Sequence, residues 1–209
     1  MLTDGTRRLR ADAARNSERI VRAAREVYAE SGPDATLDDI ARRADVGIAT
    51  LYRRFPNKEE LLRAAIEQGI GEQLSPYIEQ ALGDDDPKRG LVTLMEATLS
   101  MVASERNTFA AAHNSGALTT ELTAPFTDSM TLLIHRGQQA GVIRADVVPD
   151  DVHVIIGMLA SLQACMEWDG DGWRRYVALL LDGLSPVGAS PLPAAAPILR
   201  AESGGNCSF

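Results

Sequence analysis

Cysteine is almost missing from this 209-residue chain. Cys165 falls inside a helical pattern and Cys207 near the end, so neither a disulfide framework nor a thiolate metal site is indicated. Histidine is equally scarce. His113, His135 and His153 stand too far apart to form a local ligand pair, and none has a carboxylate or thiol at a metal-binding interval, so no metal is expected. A phosphate-cradling loop is absent too, because the glycines at 69–73 and 169–172 lack the Lys and Ser or Thr of a nucleotide site. No nucleophile elbow is present, and Asp84, Asp85 and Asp86 ahead of Pro87 read as a solvated loop and helix start. These absences argue against an enzyme and against any cofactor. No apolar run approaches the ~18 residues of a membrane span, and the arginine-bearing N-terminus has no apolar signal core. A cytoplasmic protein with no membrane partner is expected.

What is present is helical patterning. Apolar residues make up 45% of the chain, enough for a sizeable core. They recur at three and four over 61–82, 91–102, 118–134, 152–168 and 173–184, while strand-like alternation is missing. Breakers separate the runs at 83–87, 113–116, 141–151 and 169–172. The pattern predicts an all-α protein of about nine helices. Residues 1–15 read as a flexible basic arm, and the Pro-, Ala-, Gly- and Ser-rich stretch 185–209 as a disordered tail. The net charge of −8 is unevenly spread. Residues 1–68 hold 13 Lys and Arg against 12 Asp and Glu, leaving 8 against 17 for the remainder. Arg7, Arg8, Arg10 and Arg15, then Arg42, Arg43, Arg53, Arg54 and Lys58, concentrate the basic groups, and it is the local field that meets a polyanion.

Those basic residues surround a motif at 36–58. Thr36 followed by Asp39 has capping-box spacing, which starts a helix at Leu37 whose apolar stripe is Leu37, Ile40, Ala41 and Ala44. Asp45, Val46 and Gly47 interrupt it with a tight turn. The next helix, 48–55, turns Leu51 and Phe55 inward, leaving Ile48, Ala49, Thr50, Arg53 and Arg54 outward or flanking. Pro56 ends it, and Asn57 with Glu60 caps the helix that follows. Two short helices joined by three residues, with arginines outside, form a helix-turn-helix suited to the DNA major groove.

At this point the chain resembles the TetR family of bacterial transcriptional regulators. The resemblance rests on Thr36, Ile40, Ala41, Val46, Thr50, Leu51, Tyr52, Phe55, Lys58, Glu59 and Leu61, preceded by a helix with Ile20, Ala24, Val27 and Tyr28. Two positions depart from the family pattern: Asp45 stands where Gly is usual, and Gly47 where a capping Ser or Thr is usual. The resemblance implies a three-helix DNA-binding domain at 16–66 and a helical ligand-binding and dimerisation domain at 67–184. It also implies that Thr36, Tyr52 and Lys58 contact phosphates. Gly47 opens the recognition helix, from which Ile48, Ala49, Thr50, Arg53 and Arg54 are expected to reach base edges.

The second part carries two further expectations. The runs after Asp150 and Trp173 hold more apolar surface than one packing face needs, and the resemblance implies that they pair with a symmetry mate. His153, Gly157, Ala160, Tyr176, Val177, Leu180, Leu181 and Leu184 are the expected dimer contacts. Leu94, Met95, Thr98, Val102, Phe109, His113, Phe126, Met130, Leu133 and Trp168 are the expected walls of a pocket for an apolar or aromatic small molecule, with Gln163 a further polar candidate. A homodimeric repressor released from a palindromic double-stranded operator by its ligand is the function this predicts. The alternative is a helical protein-binding module that never touches DNA.

Overall fold

The protein is described from a computed structural model covering residues 4–165 and 172–195. Among the described residues there are ten α-helices, a 3-10 turn at Gly32–Asp34, a π segment at Ile70–Leu74, and no strand. They fall into two compact units, residues 1–69 with 105–119, and residues 70–104 with 120–209.

In the first unit, α1 (Asp4–Ser31) begins well before Asn16, so the stretch read as a flexible arm continues the helix from Asp4. Ile20, Ala24, Val27 and Tyr28 are fully or nearly fully buried, the three-and-four spacing of one inward stripe. The helix stops where Gly32 turns left-handed at φ +57° and Pro33 cannot continue the ladder. Next come α2 (Leu37–Arg43), α3 (Ile48–Arg54) and α4 (Lys58–Gly69). Asn57 caps α4 by accepting from Glu60 N–H at 2.8 Å. Ile40, Leu51, Leu61 and Leu62, each fully buried, complete the core.

This unit also takes in α7 (Arg106–Ser115), a segment distant in sequence. Arg25 on α1 forms an ion pair with Glu105, just before α7, and both side chains are over four-fifths buried. The Arg25 Nε–H donates to Glu105 Oε1 at 3.0 Å, the Thr108 hydroxyl to Oε2 at 3.2 Å, and Asn107 Nδ2 to the Ala29 carbonyl at 2.9 Å.

The second unit contains α5 (Ser75–Gly83), α6 (Pro87–Ser104), α8 (Thr120–Gln139), α9 (Pro149–Cys165) and α10 (Arg174–Gly183). The run 61–82, read as one helix, is divided by the π segment. Pro76 near the start of α5 has no N–H for the α ladder, and the wider turn before it accommodates that loss, with the Ser75 hydroxyl donating to Ile70 O at 3.3 Å. Gly90 lets α6 lie close to its neighbours, since a Cβ there would sit 2.6 Å from the Ala81 carbonyl oxygen. Arg136 on α8 caps the end of α5 by donating to Leu82 O and Asp84 O at 2.8 and 2.7 Å. The core of the unit is Leu91, Leu94, Met95, Leu99, Met130, Leu133, Ile134 and Val152. Residues 185–195 are irregular, tied by Arg144 donating to Ser190 O and by Leu192 N–H donating to Asp146 Oδ2 at 2.9 Å.

The Arg25–Glu105 pair yields a stability prediction. Arg25→Met alone strands a largely buried carboxylate and should cost about 3 to 5 kcal/mol in urea unfolding, whereas Arg25→Met with Glu105→Leu should recover most of it. A double variant no more stable than the single would show that the pair is not the source of the loss.

Candidate nucleic-acid interface

The site is built on caps and a turn. Thr36 accepts from Asp39 N–H at 3.2 Å and its own hydroxyl donates to Asp39 Oδ2 at 2.6 Å, which holds the Asp39 carboxyl below the usual carboxylate range. Thr36 is thereby fixed at the exposed start of α2. At the corner Asp45 takes φ +51°, the left-handed conformation that glycine adopts without strain. Gly47 begins α3 in an ordinary extended conformation with no side-chain cap, and a Cβ there would meet nothing within 4 Å. Arg19 of α1 clamps the corner from behind, its Nη2 donating to Ala44 O at 2.5 Å and Asp45 O at 3.2 Å.

α3 has seven residues, and the two side chains that hold it are Leu51, fully buried, and Phe55 at its C-cap, 8% exposed. Ile48, Ala49, Tyr52, Arg53 and Arg54 are exposed and Thr50 half-buried, so the expected readers share the outward side of α3. The two arginines differ. Arg54 Nε donates to the Ser17 hydroxyl of α1, whereas Arg53 makes no hydrogen bond or ion pair among the described residues. Lys58 is half-buried at the start of α4, its ammonium donating to Ala35 O at 3.3 Å and lying 5.4 Å from the Tyr28 ring centroid. Beneath it the Tyr28 hydroxyl has no hydrogen-bond partner among the described residues, and burial, then the Glu59 charge, pushes it up to about 12.

Not every basic group in the motif faces outward unpaired. Arg43 is held by Glu30 and Glu26 of α1 at 2.6 and 3.2 Å, and Arg42 by Asp39 at 2.9 Å. Sequence patterning counted them with the DNA-facing cluster because their partners lie on another helix or one turn back.

The remaining candidates are dispersed. Leu94, Met95, Thr98, Met130 and Leu133 are buried together in the second unit, with Val102 and Phe126 half-buried. Phe109 and His113 lie on α7 in the first unit, half-buried and exposed respectively. Trp168 and the side chain of Gln163 fall outside the described residues. Val177, Leu181 and Leu184 are buried within the protomer, Gly157 and Tyr176 are exposed, and His153, Ala160 and Leu180 are intermediate. Four apolar residues outside that set are exposed: Val154, Met158 and Leu162 on α9 and Leu179 on α10, at 45, 61, 42 and 57%. A cleft of about 220 Å³ lies between α6 and α10, its rim charges matched as Arg174 with Glu96 at 2.9 Å and Lys88 with Asp182 at 3.8 Å. Among the described residues no cluster of His, Cys, Asp and Glu could hold a metal ion, and no helix is long and apolar enough to cross a membrane.

Residues 20–65 match the family model described as bacterial regulatory proteins, tetR family, and residues 86–186 match one described as the C-terminal domain of SbtR-like transcriptional regulators. An uncharacterised helix-turn-helix transcriptional regulator of Pseudomonas putida, TtgW, is 44% identical over 61 residues, 29% of this chain and 46% of that protein. The chain thus spans less than half the length of that curated relative. Among solved structures, a TetR transcriptional regulator from Streptomyces coelicolor is 28% identical with a TM-score of 0.59, over 82% of this chain and 99% of that one. PfmR, a TetR family regulator from Thermus thermophilus, is 27% identical with a TM-score of 0.62, over 79% of this chain and 98% of that one.

The corner residue can be tested directly. A β-branched side chain is strained at positive φ where Asp is tolerated, so Asp45→Val should lower unfolding free energy by about 1 to 2 kcal/mol, while Asp45→Gly should be neutral or stabilising. Chemical denaturation of the pair measures this, and equal effects of Val and Gly would contradict the assigned turn.

Proposed function

The chain belongs to the TetR family of bacterial transcriptional regulators, and we propose that it works as a homodimeric repressor, released from its operator by a small molecule. Proteins of this family are DNA-binding transcription factors, and their usual place is beside the chromosome in the cytoplasm. The observation that carries the reading is the outward side of α3, where exposed Ile48, Ala49, Tyr52, Arg53 and Arg54 surround half-buried Thr50 on a helix anchored from behind by Leu51. Arg53, without a partner among the described residues, is the reader of guanine edges, worth about 1 to 3 kcal/mol of discrimination. Ile48 and Ala49 meet thymine methyls, and Thr36, Tyr52 and Lys58 meet phosphates. Lys58 has to leave the Ala35 carbonyl to do so, exchanging a neutral acceptor for an anionic one.

The second unit supports the dimer reading. Val154, Met158 and Leu162 recur at every fourth residue of α9 and are exposed, as are Tyr176 and Leu179 of α10. Exposed apolar residues in such a row mark an interface. A symmetric pair sets two recognition helices about 34 Å apart for successive half-sites, which makes the operator palindromic.

Selection of bound DNA from a random pool should return a palindrome. Arg53→Ala should relax preference at defined positions, whereas Lys58→Ala should weaken all sequences alike and flatten the salt dependence by about one phosphate's worth. A chain that selects no sequence and binds DNA no better than an unrelated acidic protein would instead be a protein-binding module.

The interface has its own test. Met158→Arg places a charge on a side chain already exposed in the protomer, so the fold should survive while light scattering reports a monomer and operator affinity falls at least tenfold. A dimer of undiminished stability would place the interface elsewhere.

A further inference from the structure

Two groups of unlike chemistry hold the ammonium of Lys58. The ring centroid of Tyr28 on α1 lies 5.4 Å from Nζ, within the range of a cation–π contact, and the Ala35 carbonyl accepts from Nζ at 3.3 Å. The ring is fixed, because Tyr28 is fully buried with Ile20, Ala24 and Val27 of the same helix. Its hydroxyl makes no hydrogen bond among the described residues, so the contact with Lys58 is made by the ring face alone. Lys58 itself is half-buried at the start of α4, on a flexible four-carbon stem that a solvated lysine would leave free to wander.

A carbonyl and a ring face place different demands on an ammonium. The carbonyl takes up an N–H group, whereas the face attracts the charge as a whole and takes up none. A phosphate that replaces the Ala35 carbonyl therefore need not displace the ring.

We infer that Tyr28 is a positioning residue for the phosphate contact of Lys58: its ring holds the ammonium in place before DNA arrives and stays beneath it afterwards. This rests on the reading of Lys58 as a phosphate-binding residue and deepens it. Part of the cost of ordering a long side chain is moved from the binding step into the fold. Without the ring the DNA has to order that side chain itself, which lowers affinity about two- to tenfold.

The test begins with affinity for the selected operator. Tyr28→Leu should weaken binding about two- to tenfold, and Tyr28→Phe, which keeps the ring, should rescue it. In the Lys58→Ala background Tyr28→Leu should have no further effect, because no ammonium is left to position; a mere packing defect would weaken binding in both backgrounds. A spectroscopic signature accompanies this. Lys58 and Lys88 are the only lysines of the chain, so reductive methylation with isotopically labelled formaldehyde, which keeps the charge, marks few amines, and Lys88→Arg assigns them. The Lys58 methyl resonance should be shifted upfield by the ring, lose that shift in Tyr28→Leu, and keep it when operator is added. The free and bound spectra of the unmutated chain do not depend on Tyr28→Leu folding. Equal losses from Tyr28→Leu with and without Lys58, no rescue by Tyr28→Phe, or a Lys58 resonance that lacks the ring shift or loses it in the complex overturns the inference. Lys58→Ala binding operator as tightly as the wild type removes the phosphate contact and this inference with it, whereas binding that depends on Lys58 and not on the ring removes this inference alone.

Discussion

A helix of two turns has no stability of its own, so the outward surface of α3 exists only because other elements hold it. Leu51 and Phe55 are the two side chains that α3 commits to the core, and Arg19 secures the corner that precedes it through two backbone carbonyls. With Gly47 offering no side-chain cap, tertiary burial is left to fix the start of α3 as well as its pose. The consequence for recognition is direct. Ile48, Ala49, Tyr52 and Arg53 are spared from the core, and Arg53 makes no ion pair among the described residues. Arg54, by contrast, is engaged with Ser17, which links the end of α3 to α1.

The parts of this fold that were readable in the chain are those whose causes are local. Thr36 with Asp39, the left-handed Asp45, and Asn57 with the Glu60 amide each act within three residues, and each behaves as its spacing requires. Causes that lie far off in sequence were not readable. Nothing near Glu105 announces that it will pair with Arg25, yet that contact helps hold α7 beside α1. Likewise Arg43 reads as a cation for phosphates until Glu26 and Glu30 are placed against it. Pro76 and Pro125 were visible as residues, but the chain accommodates them differently, by a π segment in one case and by continuing the helix in the other.

α9 shows why its exposed face was the harder problem. An amphipathic helix such as α1 declares its inner face, whereas α9 is apolar almost all round, so periodicity cannot choose between Val152 and Val154 or between Leu159 and Leu162. Packing chooses: Val152, Ile156 and Leu159 go inside, and Val154, Met158 and Leu162 stay out. The expected ligand walls fail to separate for a related reason. A stripe such as Leu94, Met95 and Thr98 identifies burial, and burial is common to a packed core and to a closed pocket.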